Sequence, residues 1–386
     1  MRGKAAAADK ARAKSLAAVA KRFDGFRPAA EVLKRVRAVP TRFVQLDHAT
    51  RVGGLPIERF MLLHGPSNEG KTLLTLGLEE SFLARDHFVL HVDAERTTSI
   101  TWAAQLMGER AQHPHYFALR PTTYEDTIAQ VRTFLNNVAA ARDSGEVPEG
   151  TSALVVVDSL KKLVPANLMK EILKAEQDAK DVKGGNDRGG QLKAKMNAAW
   201  MDELVPLLEH AQAGFVAIAR EMVDPDADVW ARKFGNDYKV GGGGAIYYDA
   251  SLVLRVERAS WVTHGEGKER KTYGERHRVT IKKTKVGGKD DKVTVAHVHS
   301  SNGTFTPFGF DRARDVLELG LRFGVVEKRG SHYKFNDVGI GVGEHAAVSS
   351  LYMAPEHLLG EIEAAVREKF EDVAPAEHDD ATGEVA

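Results

Sequence analysis

The chain of 386 residues contains no cysteine. Disulfides, thiolate metal sites and a cysteine nucleophile are therefore excluded. It has no apolar stretch long enough to span a bilayer, and its first residues lack the apolar core of a secretory signal. Net charge is absent too, since 54 Lys and Arg balance 54 Asp and Glu. From these absences we expect a cytoplasmic protein with no membrane partner. The balance hides an asymmetry, however. The first 60 residues are rich in Lys and Arg and poor in acids, whereas residues 371–386 carry six acidic side chains and no basic one. That distribution suggests a basic surface for a polyanion and an acidic tail that competes for it. A hydrophobic content of 43% and a charged content of 28% are ordinary for a globular chain. The length suits one large domain with appendages, or two domains.

What is present begins with Gly65, Pro66, Ser67, Asn68, Glu69, Gly70, Lys71 and Thr72. This run fits G-x-x-x-x-G-K-[ST], a loop whose glycines let successive backbone N–H groups face a polyphosphate. In that chemistry Lys71 reaches the β- and γ-phosphates and the Thr72 hydroxyl ligates Mg²⁺. The apolar residues 60–63 before it read as a buried strand. Residues 73–76 after it open a helix, whose N-terminus adds positive partial charge.

From there to about residue 305 the pattern alternates strand and helix. Residues 88–92, 153–157 and 215–219 are unbroken apolar runs, as parallel strands buried on both faces require. Residues 123–142 and 191–212 read as helices. Residues 250–256 and 278–281 are more polar strands, expected nearer a sheet edge. The fold class is thus α/β, a doubly wound and mainly parallel sheet with ligands at the carboxyl ends of its strands. Ahead of it, residues 3–23 read as an Ala- and Lys-rich helix with Leu16, Val19 and Phe23 on one face. Pro40 marks a boundary, residues 42–46 a short strand and residues 53–56 a turn. Two stretches, 166–190 and 221–244, resist the pattern and read as long loops on the phosphate-loop face. Beyond residue 309 a helix-rich segment with a hairpin-like patch at 330–335 reads as a small module. The expected organisation is an N-terminal helix and linker (1–40), a core (41–308), a C-terminal module (309–372) and an acidic disordered tail (373–386).

Asp158 ends the run 154–157, where a phosphate-loop enzyme places its second Mg²⁺-holding acid. Asp93 and Glu95 end the preceding strand, and strand alternation would point both to one side. Adjacent strand ends converge on one crevice, so Glu95 is the candidate general base and Asp93 a structural acid.

These elements together resemble the RecA family of homologous-recombination ATPases. The resemblance rests on residues 53–56, the phosphate loop, residues 92–95, residues 156–159, Phe234 to Asn236 with the following glycines, residues 247–251, and Lys283 to Lys285. Residues 319–334 resemble the family's C-terminal module. The resemblance implies a RecA-like core with an N-terminal assembly element, ATP and Mg²⁺ as cofactors, and Glu95 as the water-activating carboxylate. It places Trp102 against the adenine, although a core tryptophan fits the sequence as well. It sends Lys283 and Lys285 into the ATP site of a neighbouring protomer in a homo-oligomeric helical filament. The two irregular stretches become DNA-binding loops. One offers Met169, Lys170, Ile172, Lys174, Lys180, Lys183 and Arg188. The other offers Trp230, Arg232, Lys233, Phe234, Lys239, Gly242 and Gly243, with Lys195 as a further phosphate contact.

One position departs from the family pattern. Arg220 stands where the family has a Gln that couples γ-phosphate to DNA. An arginine there can sense the phosphate by charge or be held by Glu221. The implied function is a DNA-dependent ATPase that coats single-stranded DNA, pairs it with homologous duplex and exchanges strands in recombination and repair. The alternatives are a hexameric DNA motor and an ATP- and DNA-binding filament protein without strand exchange.

Overall fold

The computed structural model describes residues 36–177, 185–233, 237–264, 267–287, 293–299 and 309–372. The chain divides into one unit of residues 1–36 and a second of residues 37–386. The helix expected over 3–23, the tail 373–386, Lys180, Lys183 and Phe234 lie outside the described residues, as do the side chains of Ile172 and Arg188. The second unit is described below.

Ahead of the first helix, the Thr41 N–H and hydroxyl donate to the Asp47 carboxylate at 2.8 and 2.6 Å, which ties the incoming chain to the segment that winds into α1 (Val44–Ala49). The strand expected over 42–46 is therefore a helix, in which Phe43, Val44, Leu46 and Ala49 are all buried. The turn expected at 53–56 contributes β2 (Leu55–Pro56), which pairs with β1 (Ala38–Val39) in a two-stranded ribbon.

Then β3 (Arg59–Gly65), α2 (Lys71–Leu83), β4 (Phe88–Asp93), α3 (Ile100–Met107), β5 (Tyr116–Leu119), α4 (Tyr124–Asp143) and β6 (Ala153–Asp158) follow in alternation. Next come α5 (Ala166–Gln177), α6 (Gly185–Ala211), β7 (Ala213–Val223), α7 (Val229–Lys233), β8 (Tyr238–Val240) and α8 (Gly244–Asp249). Among the described residues, both stretches expected as loops thus hold helices or strands. The first holds α5 and the start of α6, because its Leu, Lys, Glu and Ala residues are good helix formers. In the second, β7 runs on past the sheet and turns back antiparallel as β8, with α7 at the tip.

The parallel strands lie in the order β9–β3–β7–β6–β4–β5, with β9 at Leu252–His264. Beyond β9 the sheet turns antiparallel through β10 (Lys271–Thr284), β11 (Val293–His299) and the two-residue β12 (Gly309–Phe310). The strand expected over 250–256 is consequently interior, bonded to β3 on one side and to β10 on the other. Strands β5, of only four residues, and β11 were not among those expected. Apolar faces pack α1, α2 and α3 on one side of the sheet and α4, α6 and α8 on the other. The register sets Asp93 beside Asp158 and Gly65 beside Arg220. Strands β3, β6 and β4 therefore end together beside Arg220, where β7 leaves the sheet, which creates the crevice at their carboxyl ends.

The C-terminal elements are α9 (Arg312–Arg322), the sheet of β13 (Glu327–Arg329), β14 (His332–Phe335) and β15 (Val338–Val342), α10 (Glu344–Met353) and α11 (Gly360–Glu368). They share a core with Val44 of α1. Arg367 of α11 donates to Asp47 at 2.9 Å. Among the described residues no helix is long and apolar enough to cross a membrane.

Candidate active site

The phosphate loop leaves β3 at Gly65 and enters α2 at Lys71. Gly70 caps α2 at φ +86°, a left-handed conformation suited to glycine, and a Cβ there would collide with the His277 ring at 2.5 Å. Lys71 is buried, and its ammonium donates to the carbonyls of Gly65, at 3.0 Å, and Pro66. Burial lowers its pKa from the ordinary value, against the opposing pull of Asp158. The Thr72 hydroxyl donates to Asp158 Oδ2 at 2.5 Å. Burial raises the Asp158 carboxyl, while the Thr72 hydrogen bond pulls it back. A hydroxyl and a carboxylate in contact form the hard oxygen donor set that Mg²⁺ prefers, so these residues fit that ion.

Two long strands brace this loop from outside. The Arg258 backbone N–H in β9 donates to Glu69 Oε2 at 2.5 Å, and its guanidinium donates to the Asn68 carbonyl at 3.0 Å. His277 in β10 meets the Glu69 carbonyl through Nδ1 at 3.1 Å.

Strand β4 ends at Asp93, so Glu95 lies beyond it rather than alternating along it. The Glu95 N–H donates to the Asp158 carbonyl at 3.0 Å, which carries its side chain across to β6 and β7. There the Ser159 hydroxyl donates to Oε1 at 2.7 Å, and Arg220 Nη2 donates to Oε1 and Oε2 at 3.1 and 3.2 Å. Arg220 is thus paired with Glu95 and not with Glu221. Glu221 points to the other side of β7, where Arg255 donates to it at 2.7 Å and His64 lies at 2.9 Å. Burial would raise the Glu221 carboxyl, but the hydrogen bonds from His64 and Arg255 outweigh it and hold it below its usual range. Asp93 is occupied structurally: it accepts from the Thr97 N–H at 3.0 Å and from Arg120 at 3.1 Å.

Ser67, Asn68, Glu69, Gly70, Lys71, Thr72, Glu95, Trp102, Asp158 and Arg220 line one cleft of about 260 Å³. Trp102 has both surroundings considered for it, packing on the core below α3 while its remaining face borders the cleft. Lys283 and Lys285 are elsewhere. Lys283 Nζ donates to the Tyr247 and Tyr248 carbonyls at 2.7 and 2.6 Å, and Lys285 Nζ to the Tyr248 carbonyl at 2.7 Å. Both therefore cap the C-terminal end of α8.

The β7–α7–β8 excursion exposes Met222, Val223, Val229 and Trp230. Lys233 lies over the Trp230 ring at 5.2 Å, Arg232 donates to the Pro225 carbonyl, and Lys239 pairs with Asp224 at 2.8 Å. Lys170, Lys174 and Lys195 are exposed on α5 and α6. Gly242 and Gly243 have φ of +105° and +93°, and a Cβ on either would strike Ile246 or Ala194. The Gly242 carbonyl accepts from Asn197 at 2.7 Å, whose amide oxygen in turn accepts from Tyr124.

Sequence reasoning gave no role to Ser159, Arg258 or His277, and it offered Glu221 as a partner for Arg220, whereas Glu221 pairs with Arg255 and His64. Ser159 follows Asp158 directly and was within reach of inspection. The others depend on pairing between strands far apart in sequence.

The RecA N-terminal domain matches residues 14–303 and the RecA C-terminal domain residues 314–371. The chain is similar to Protein RecA 2 of Myxococcus xanthus, with 27% identity over 88% of this chain and 82% of that protein. Similarity to Protein RecA of Clostridium tetani is 26%, covering 87% and 83%. Protein RecA of Thioalkalivibrio sulfidiphilus gives 26% over 90% and 89%. The chain belongs to the RecA family.

Proposed function

We propose that this chain is a DNA-dependent ATPase that forms helical filaments on single-stranded DNA, pairs that strand with homologous duplex and exchanges strands in recombination and repair. Family membership supports the coarser part, a RecA-like ATPase of recombination and repair that binds ATP with Mg²⁺. The observation that carries the rest is one convergence. The phosphate loop, Thr72 with Asp158, and Glu95 meet in a single cleft, and the strand holding Arg220 at that cleft extends directly into the exposed β7–α7–β8 excursion.

The chemistry follows from what each group does. The loop N–H groups and Lys71 orient the phosphates and take up charge developing on them. Thr72 and Asp158 would hold Mg²⁺, which offsets phosphate charge when bound. Glu95 accepts the proton of the attacking water as the bond between the β- and γ-phosphates breaks. Outside the cleft, Trp230 and the exposed apolar residues of the excursion offer surfaces for unstacked bases, and the exposed lysines offer charge for phosphates. Base pairing reads sequence, so the protein itself is expected to be sequence-indifferent.

The test is strand exchange between a circular single strand and a homologous linear duplex, with Lys71→Ala as control. The wild type should exchange strands with ATP, and the variant should neither hydrolyse nor exchange. Wild-type filaments that form at saturating ATP yet exchange nothing would reduce the function to a DNA-coating ATPase. Wild-type hydrolysis rates in Lys71→Ala would refute the site.

A further inference from the structure

We propose that Arg220 is a latch that holds the Glu95 carboxylate until the γ-phosphate of ATP takes the guanidinium away. This rests on the nucleotide-site reading given above. Three observations carry it. First, one Arg220 nitrogen bridges both Glu95 oxygens, at 3.1 and 3.2 Å, while Ser159 occupies Oε1 as well. A carboxylate whose oxygens already accept from a guanidinium and a hydroxyl has its acceptor sites occupied and leaves little room for a water to approach them. Second, the pair is accessible. The side chain of Arg220 is 34% exposed, that of Glu95 18%, and both line the cleft with Ser67 to Thr72. A terminal phosphate arriving there carries more negative charge than one carboxylate and offers the guanidinium two oxygens. Third, only the Arg220 side chain has somewhere to go. Its carbonyl accepts the Gly241 N–H at 2.9 Å, and the next residue, Glu221, is pinned by Arg255 and His64.

Arg220 rotates from Glu95 to phosphate, Ser159 keeps the carboxylate in place, and Glu95 becomes available to a water. In the reaction that follows, water oxygen bonds to the γ-phosphorus and the bond to the bridging oxygen breaks. That electron pair stays on the β-phosphate of ADP, and the water proton goes to Glu95. Because the Arg220 carbonyl holds Gly241, the residue that senses the phosphate also anchors the glycine run leading into α8.

The latch predicts a thermodynamic cycle that a structural ion pair would not give. Affinities for ADP and for a non-hydrolysable ATP analogue, both with Mg²⁺, are measured by calorimetry on the full chain. Glu95→Gln frees Arg220, so the ATP analogue should bind about five- to tenfold tighter, as expected for losing one half-buried ion pair. ADP affinity should not change. Arg220→Gln should weaken the analogue by about tenfold and leave ADP alone, and Arg220→Lys should fall between. In the double variant the gain from Glu95→Gln should vanish. A gain that persists without Arg220, or an analogue-to-ADP ratio unmoved by either variant, overturns the latch while the nucleotide site stands. A wild type that binds neither nucleotide overturns the site reading itself and the latch with it. Thermal unfolding of each variant shows whether a lost affinity reflects a lost fold.

Discussion

At His87 the ring Nδ1 accepts the Ser152 N–H at 3.2 Å, and the ring lies against Phe82 with centroids 5.7 Å apart. An accepting Nδ1 must be unprotonated. Burial, with the Arg85 charge adding to it, pushes the His87 pKa down to about 4 from 6.5. The unfolded chain therefore binds this proton more readily than the fold does. The stability His87 contributes is complete above pH 6.5 and is lost as pH falls through about 4. Its size is on the order of 1–3 kcal/mol. Urea midpoints followed from pH 7.5 to 4.5 should decline for the wild type. They should decline less for His87→Asn, whose amide oxygen can accept the same N–H without titrating. Parallel declines would remove His87 as the cause. Arg220 belongs to this same scale, since one guanidinium on β7 engages both oxygens of Glu95.

At the scale of elements, the brace on the phosphate loop is the part of the site that strand pairing builds. Arg258 donates to Asn68 and to Glu275, and its guanidinium lies 4.4 Å from the Trp261 ring centroid. Arg258→Ala leaves its backbone bond to Glu69 but removes the side-chain anchor on Asn68. Loop N–H groups then have to be ordered by the nucleotide, which costs ground-state binding. The Michaelis constant for ATP should rise about three- to tenfold with kcat changed less than about twofold. A fall in kcat at constant Michaelis constant would mean that the brace serves the transition state instead. Such a brace could not be read from the sequence, because β9 and β10 pair with register shifts at Thr272/Gly274, Arg276/His277 and Ile281/Lys283. The phosphate loop was legible because its function is local, one backbone turn written in consecutive residues. Asp158 was legible because a buried apolar run ends at it. The 42–46 strand and the 166–190 loop failed for a related reason. In both the apolar period is weak, so the Thr41–Asp47 side-chain contact in one and helix-forming residues in the other decided the outcome.

For the whole molecule, the proposed filament requires that a nucleotide at the ends of β3 and β6, beside Arg220 of β7, be reported to a neighbouring copy. Lys283 and Lys285 lie outside the cleft of their own chain and converge on the carbonyl end of α8, whose other end follows the glycines tied to Arg220 and Asn197. Desolvation, with the neighbouring Lys285 charge, lowers the Lys283 pKa from its ordinary value. Two ammoniums crowded on one carbonyl form an arrangement that a phosphate from another protomer would relieve. The family resemblance proposes that role for them, and neither is among the residues lining the cleft of its own chain. Lys283→Ala/Lys285→Ala should therefore bind the ATP analogue within about twofold of the wild type. Filaments on single-stranded DNA should be lost in negative-stain images, and DNA-stimulated hydrolysis should fall by about one to two orders of magnitude, the usual reach of a charge supplied across an interface. Loss of nucleotide binding in the isolated protomer would instead tie the pair to the stability of α8. Normal filaments with normal turnover would take both lysines out of assembly, leaving the nucleotide to act on the filament through Arg220 and Gly241 alone.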